Sequence, residues 1–166
     1  WGDGVWNLLG LAMQFTIAMV AASACVSSRP VHRLFSWLSS IPNPEKPTQA
    51  LLLAGVFSLI TGYLNWALCL VSCALFTPFI LQKNPKVDVR VLICASYIGL
   101  GTVWHGGLSG SAPLILATPD NPLLVATEGA TAVVDRLYPV TETLLNQFNL
   151  GFLVVIGLVG LVATCL

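Results

Sequence analysis

The sequence predicts an all-α membrane protein with several spanning helices. Hydrophobic residues make up 56% of the 166 residues and charged residues only 8%, whereas about a quarter of the residues in a soluble globular domain are charged. The mean hydropathy is +0.85. Runs without Asp, Glu, Lys or Arg cover residues 4–28, 47–82, 91–119 and 143–166, and each can hold the roughly 20 apolar residues that cross a hydrocarbon core. We therefore expect the chain to fold within the lipid bilayer.

The charge balance and the cysteines narrow the choice of partners and cofactors. Seven basic and seven acidic residues give a net charge of zero, so we expect no nucleic acid partner. All five cysteines lie in or beside apolar runs, which is untypical of a disulfide framework. We expect Cys69 and Cys73 to pack rather than bind a metal, and we expect no cofactor. Because the chain opens at Trp1 without a methionine and ends inside an apolar run, we expect a fragment of a longer protein.

Two helices are predicted at the start of the chain. Residues 4–28 form one spanning helix, with Trp1 and Trp6 at the end where an aromatic belt lies in the membrane interface. In residues 30–41 apolar side chains recur at helical spacing, and polar side chains occupy the opposite arc. This pattern is typical of an amphipathic helix that lies in the interface. Three prolines in residues 42–47 then end the helix.

Residues 50–81 are predicted to form a re-entrant hairpin. A straight helix of this length would rise about 48 Å, well beyond the roughly 30 Å hydrocarbon core, and the stretch TGYLNW at 61–66 offers a break. Three basic residues lie in 27–49 and three in 82–90, against one in 119–142. The positive-inside rule places the first two connections together on the cytoplasmic side. A hairpin meets this condition, whereas a single tilted crossing, which is the alternative, would separate the two connections.

Residues 88–118 are predicted to form a broken spanning helix that leads outward to an acidic external loop at 119–142. The centre of the helix, WHGGLSGSAP at 104–113, contains three glycines, two serines and a histidine. This composition favours an unwound segment. Unpaired backbone groups are costly in lipid, so such a segment requires protein partners or a wet cavity. A last spanning helix is predicted over 143–166.

The two predicted breaks indicate a binding site. Unwound backbone in a spanning helix offers N–H groups to anions and carbonyl groups to cations. Glycines let a ligand approach the backbone closely, and serines add hydroxyl ligands. The candidate residues for substrate or ion binding are Asn65, Trp66, His105, Gly106, Gly107, Ser109, Gly110 and Ser111.

These residues also have simpler interpretations. Glycine and serine are common at helix contacts in membranes, and Gly106 to Gly110 matches the GxxxG contact motif, although packing requires small residues on only one face. His105 can be a proton carrier or a neutral hydrogen-bonding residue. Asn65 and Trp66 can be interfacial anchors. An asparagine at membrane depth needs a partner, however, and an ion or a carboxylate fits that need.

Three segments resemble the bacterial short-chain fatty acid transporter family, which contains acetoacetate and butyrate uptake permeases. They are WGDGVWNLLGLAMQF at 1–15, NWALCLV at 65–71 and YIGLGTVWHGGLSGSAPLILATPDNP at 97–122. The resemblance implies the ion transporter superfamily, whose members are similar in having an interfacial helix, a re-entrant hairpin and a discontinuous helix in each inverted half. It adds Thr118 and Asn121 to the candidate site. It also implies that this chain belongs to the N-terminal half and that the second half of the transporter is missing.

Together these features predict a secondary transporter of the bacterial inner membrane for short-chain monocarboxylates of the acetoacetate and butyrate class, coupled to H⁺ or Na⁺. A dicarboxylate or other organic-anion carrier of the same superfamily is the alternative. An intramembrane enzyme would need a nucleophile with a base, paired carboxylates or a metal set, and only His105 near Ser109 and Ser111 approaches this. We therefore expect no enzymatic activity. A structural subunit would not explain the two polar breaks, and assembly into a homo-oligomer stays open.

Overall fold

The computed structural model describes residues 2–119 and 136–165, and all regular structure in these ranges is helical. The helices are α1 (Gly2–Val26), α2 (Arg29–Leu38), α3 (Pro47–Leu64), α4 (Trp66–Lys83), α5 (Val89–Gly101), a 3₁₀ turn (Trp104–Gly106), α6 (Ser111–Leu116), α7 (Val140–Thr143) and α8 (Gln147–Cys165). Five segments are long and apolar enough to cross a membrane, namely Leu8–Val26, Pro47–Leu64, Trp66–Lys83, Val89–Leu116 and Gln147–Cys165. The prediction of an all-α, multi-pass membrane protein is confirmed.

Helix α2 is the short amphipathic helix of the predicted interfacial segment. Pro30 lies in its first turn, where a missing N–H costs no hydrogen bond. Phe35 is buried and packs against Phe76, with ring centroids 5.0 Å apart. Leu34 and Trp37 of the same helix are exposed. One apolar side of the helix therefore packs against the protein, and another apolar side lies on the outer surface of the protein. The pattern is compatible with a helix at a membrane surface.

Helices α3 and α4 are separated by one extended residue, Asn65, with φ −160° and ψ 131°. They pack side by side, and the rings of Phe57 and Phe76 lie 4.8 Å apart. At the far end of the pair, the residues that precede α3 meet those that follow α4, because Glu45 and Lys86 form an ion pair. The chain thus enters α3 and leaves α4 at the same end of the bundle.

Helices α3 and α5 make a close backbone contact in the core. A Cβ atom at Gly62 would lie 2.8 Å from the Gly99 carbonyl carbon, and a Cβ atom at Gly99 would overlap the Ser58 carbonyl oxygen. The Gly99 N–H donates to Ser58 Oγ across the contact at 2.9 Å. Small residues at membrane helix contacts let backbones approach in this way. These two glycines therefore fix the distance between α3 and α5.

The second half of the described chain completes the bundle. Helix α8 packs against α3 and α5, with Leu153 and Leu161 buried. The short helix α7 was not predicted, and the residue that follows it, Leu144, is fully buried. Of the predicted external loop, residues 120–135 lie outside the described residues.

We predict that Gly99→Ala destabilises the bundle. Its methyl group would meet backbone atoms of α3, which cannot move aside without separating the helices. Overpacking of this kind costs about 1–3 kcal/mol, so the midpoint of thermal unfolding of the full-length protein in detergent should fall by roughly 1–5 °C. Gly151→Ala is the matched control, because it adds the same methyl group to α8 with no atom within 4 Å. Equal midpoints for the two variants would contradict the close α3–α5 contact.

Candidate functional site

The two helix breaks predicted from the sequence lie in contact with each other. The Leu108 N–H donates to the carbonyl oxygen of Tyr63 at 2.8 Å. The Trp66 N–H donates to Ser109 Oγ at 3.0 Å. Tyr63 and Trp66 flank the α3–α4 break, and Leu108 and Ser109 lie in the segment between α5 and α6. Each break therefore provides hydrogen-bond partners for backbone groups of the other.

The segment from 102 to 110 is folded on itself rather than extended. After the 3₁₀ turn, the Gly107 N–H donates to Trp104 O and the Gly110 N–H donates to Gly107 O, both at 3.0 Å. The indole Nε1–H of Trp104 donates to Ser109 O at 3.2 Å. Two successive turns and one indole thus hold the segment in shape without a continuous helix.

Two glycines are required by this geometry. A Cβ atom at Gly107 would lie 2.6 Å from Tyr63 O, and one at Gly110 would overlap the carbonyl oxygen of His105. Because the obstructing atoms belong to the backbone, a larger residue at either position must displace the chain. The glycine density of this motif therefore serves close backbone packing at the meeting point of the two breaks.

Asn65 acts at the start of α4. Its Oδ1 accepts from the N–H groups of Ala67 at 2.9 Å and Leu68 at 3.1 Å. This is the arrangement of an N-cap, which gives partners to N–H groups that lack them in the first helical turn. Ser109 Oγ supplies the partner for Trp66, one residue earlier. The α4 N-terminus is thus capped by one residue from its own break and one from the other.

The remaining predicted site residues differ in their exposure and in their position relative to the contact between the breaks. Gly106 is buried, whereas His105 and Ser111 are exposed, and the His105 ring lies 4.5 Å from that of Trp104. Thr118 lies beyond the end of α6, where its Oγ1 donates to Leu114 O at 2.8 Å. Asn121 lies outside the described residues. The structure therefore brings together the residues of the two breaks, with His105 and Ser111 exposed beside them.

The side chain of Trp66 contributes packing rather than polar contacts. Its ring lies 5.3 Å from that of Phe15 in an edge-to-face arrangement. Phe15 belongs to α1, so this contact ties the start of α4 to the first helix. The backbone N–H of Trp66, and not its indole, takes part in the contact between the breaks.

Asn149, in the first turn of α8, also contacts the break, although its sequence position did not predict this. Its Nδ2 donates to Gly106 O at 3.0 Å and to Leu144 O at 2.8 Å. The sequence signal is weak, because Asn149 is one of three amide residues, with Asn146 and Gln147, that precede the apolar part of the helix. Because helix ends often carry polar residues, that signal does not distinguish a surface residue from one that contacts the break.

The site as a whole consists of backbone N–H and carbonyl groups, hydroxyls and side-chain amides. Within residues 2–119 and 136–165, no group of three or more His, Cys, Asp or Glu could hold a metal ion. Cys69 and Cys73 lie in the first half of α4, with their sulfur atoms 3.8 Å apart. Both are buried in contact with Ser58 or Thr61 of α3. Neutral donors and acceptors of this kind can bind a carboxylate through N–H groups and a small cation through oxygens.

We predict that Asn65→Ala weakens the start of α4 and that Asn65→Ser does not. Alanine removes the acceptor for two N–H groups, and the loss of an N-cap costs about 1 kcal/mol. Serine keeps an oxygen at a suitable distance. The measurement is the midpoint of thermal unfolding of both full-length variants in detergent. An alanine variant as stable as the serine variant would show that Oδ1 is not needed as a cap.

Comparisons with known proteins show the family of the chain. The model of a family described as short chain fatty acid transporter matches residues 1–166. A protein of Escherichia coli (strain K12), assigned as a short-chain fatty acid transporter, is 37% identical over 150 residues, which are 90% of this chain and 32% of that protein. A protein of Haemophilus influenzae with the same assignment is 33% identical over 153 residues, 90% of this chain and 33% of its own length. No solved structure matches the chain significantly. The chain spans about a third of the length of these relatives, and it belongs to the short-chain fatty acid transporter family.

Proposed function

We propose that this chain forms part of the transport domain of a secondary transporter for short-chain fatty acids of the acetoacetate and butyrate class in the bacterial inner membrane. The contact between the two helix breaks is the observation that supports it most directly. There the Trp66 N–H donates to Ser109 Oγ, so unwound backbone and a hydroxyl meet where the helices are interrupted. Membership of the family and the assignments of two relatives support the class of substrate.

The chemistry of the breaks suits a substrate with a single carboxylate. One negative charge can be bound by backbone N–H groups and hydroxyls, because hydrogen bonds to a charged acceptor are about twice as strong as neutral ones. Ser109 and Ser111 provide the hydroxyls, and Ser111 is exposed at the start of α6. Carbonyl oxygens of the unwound segment suit a coupling Na⁺, whereas H⁺ coupling would use a titratable group such as the exposed His105.

In the proposed membrane arrangement, α3 and α4 form a re-entrant hairpin and α5–α6 a discontinuous helix. Each hairpin arm has 18 residues and rises about 27 Å. A hairpin that enters from the basic face therefore reaches past the middle of a core of roughly 30 Å. The break at 102–110 lies within the segment Val89–Leu116. Both breaks would then lie inside the membrane and close to each other.

Other parts of the full-length protein complete the site in this proposal. The relatives are about three times as long as the part matched here, and a second half of the transporter would supply the opposite wall of the substrate site. Assembly of two full-length copies would place two such sites in one membrane complex.

Uptake of labelled butyrate and acetoacetate by cells with the full-length protein tests the proposed function. Sodium and pH are varied separately, so that a dependence on one of them identifies the coupling ion. We expect saturable uptake of both acids that unlabelled monocarboxylates inhibit. Inhibition by dicarboxylates alone, or no uptake above that of cells without the protein, would contradict the proposal.

We predict that Gly110→Val abolishes or strongly reduces this uptake, by at least roughly tenfold, because a branched side chain forces apart the turns that hold the unwound segment. Gly157→Val is the control. The three atoms nearest to a Cβ at Gly157 are side-chain methyl carbons, two of Leu59 at 3.4 Å and one of Val103 at 3.8 Å, so uptake should fall by no more than about threefold. The amount of each variant in the membrane is measured alongside. Equal losses would show that the site does not depend on the backbone at 110.

A further inference from the structure

Asn149 joins three parts of the molecule through one side-chain amide. Its Nδ2 donates to Gly106 O in the 3₁₀ turn at 3.0 Å and to Leu144 O at the end of α7 at 2.8 Å. Both hydrogens of the amide group are thus in use. Asn149 itself belongs to the first turn of α8. One residue therefore connects the break between α5 and α6 to the two helices that follow it.

Gly106 lies close to two side chains of α8, Asn149 and Leu153. A Cβ atom at Gly106 would lie 2.5 Å from Asn149 Oδ1, 3.0 Å from Leu153 Cδ2 and 3.1 Å from Asn149 Nδ2. A larger residue at position 106 would displace the Asn149 amide, so glycine lets the turn approach α8 this closely. Leu153 is buried beneath the amide, so an Asn149 side chain without these bonds would leave polar atoms beside an apolar surface, which is costly.

Asn149 is not required to start its own helix. Asn146 performs that task, because its Oδ1 accepts from the Phe148 N–H at 2.9 Å and its carbonyl oxygen accepts from Leu150 N. The amide of Asn149 instead donates to Gly106 O and Leu144 O, which both lie outside α8. Its bonds therefore join the start of α8 to the break and to the end of α7.

We propose that Asn149 is a positioning residue for substrate binding, an inference that rests on the proposed function. By holding Gly106 O, it sets the turn that precedes Gly107, Leu108 and Ser109. Those residues make the contacts with Tyr63 and Trp66 of the other break. The same amide ties the turn to Leu144, so α7 and the break hold one fixed relative position while the substrate is bound.

Asn149→Asp in the full-length transporter tests this inference. The carboxylate has nearly the same shape but cannot donate, and it faces two carbonyl oxygens that repel it. We expect the KM for butyrate uptake to rise about tenfold or more, while the maximal rate per transporter in the membrane changes less than about threefold. A merely structural role would lower the amount of transporter, and with it the maximal rate, and leave KM unchanged.

Asn146→Asp is the matched control, since it makes the same chemical change three residues earlier and keeps the acceptor for Phe148. Its KM should stay within about twofold of that of the unsubstituted protein. If Asn149→Asp fails to reach the membrane, Asn149→Gln replaces it: its amide keeps both donors but is displaced by one methylene, so KM should rise at least about threefold. An unchanged KM in whichever Asn149 variant is measured overturns the inference. If the unsubstituted protein takes up no monocarboxylate, the proposed function fails instead.

Discussion

The hydrogen bonds between the two helix breaks are the interactions on which the rest of the structure depends. Backbone groups left without partners in lipid are costly enough to exclude irregular structure there unless protein or water supplies the partners. The bonds from Leu108 N to Tyr63 O and from Trp66 N to Ser109 Oγ supply some of them. Neither break meets this requirement alone. Each is stable because the other lies beside it.

This pairing requires α3 and α5 to pack at short distance along their length. Gly62 and Gly99 allow the approach, and Ser58 strengthens it by accepting from the Gly99 N–H. The contact places the end of α3 and the end of α5 at the same level, so that the residues after each helix meet. A larger side chain at Gly99 would therefore disturb the contact between the breaks by separating α3 from α5.

Much of the fold could be predicted because length and charge limit what a membrane chain can do. The break at Asn65 lies inside the stretch 61–66 that the sequence singles out, and the interruption between α5 and α6 lies inside its glycine and serine motif. Three-dimensional contacts were not predictable in the same way. A pattern of small and polar residues predicts that a helix is interrupted. It does not predict that Ser109 caps α4 or that Asn65 caps its own helix.

Two further features of the structure could not be predicted from the sequence. The apolar arc of α2 was predicted as one face, yet Phe35 is buried while Leu34 is exposed, because the helix contacts both protein and surroundings. Asn149 looks like an ordinary polar residue at a helix start, and its role depends on Gly106, which is 43 positions earlier. Partners so far apart in sequence are brought together only by the packing of α8 on α3 and α5.

In the proposed arrangement α3 and α4 enter and leave the membrane at one face, so that both breaks meet inside it. Single cysteines at positions 46, 83 and 140 of the otherwise cysteine-free full-length protein test this most directly, by labelling with a maleimide that does not cross membranes. All three positions are exposed on the protein surface. We predict that positions 46 and 83 react only after the cells are permeabilised and that position 140 reacts in intact cells. Reaction of only one of positions 46 and 83 in intact cells would show a full crossing between them and contradict the account.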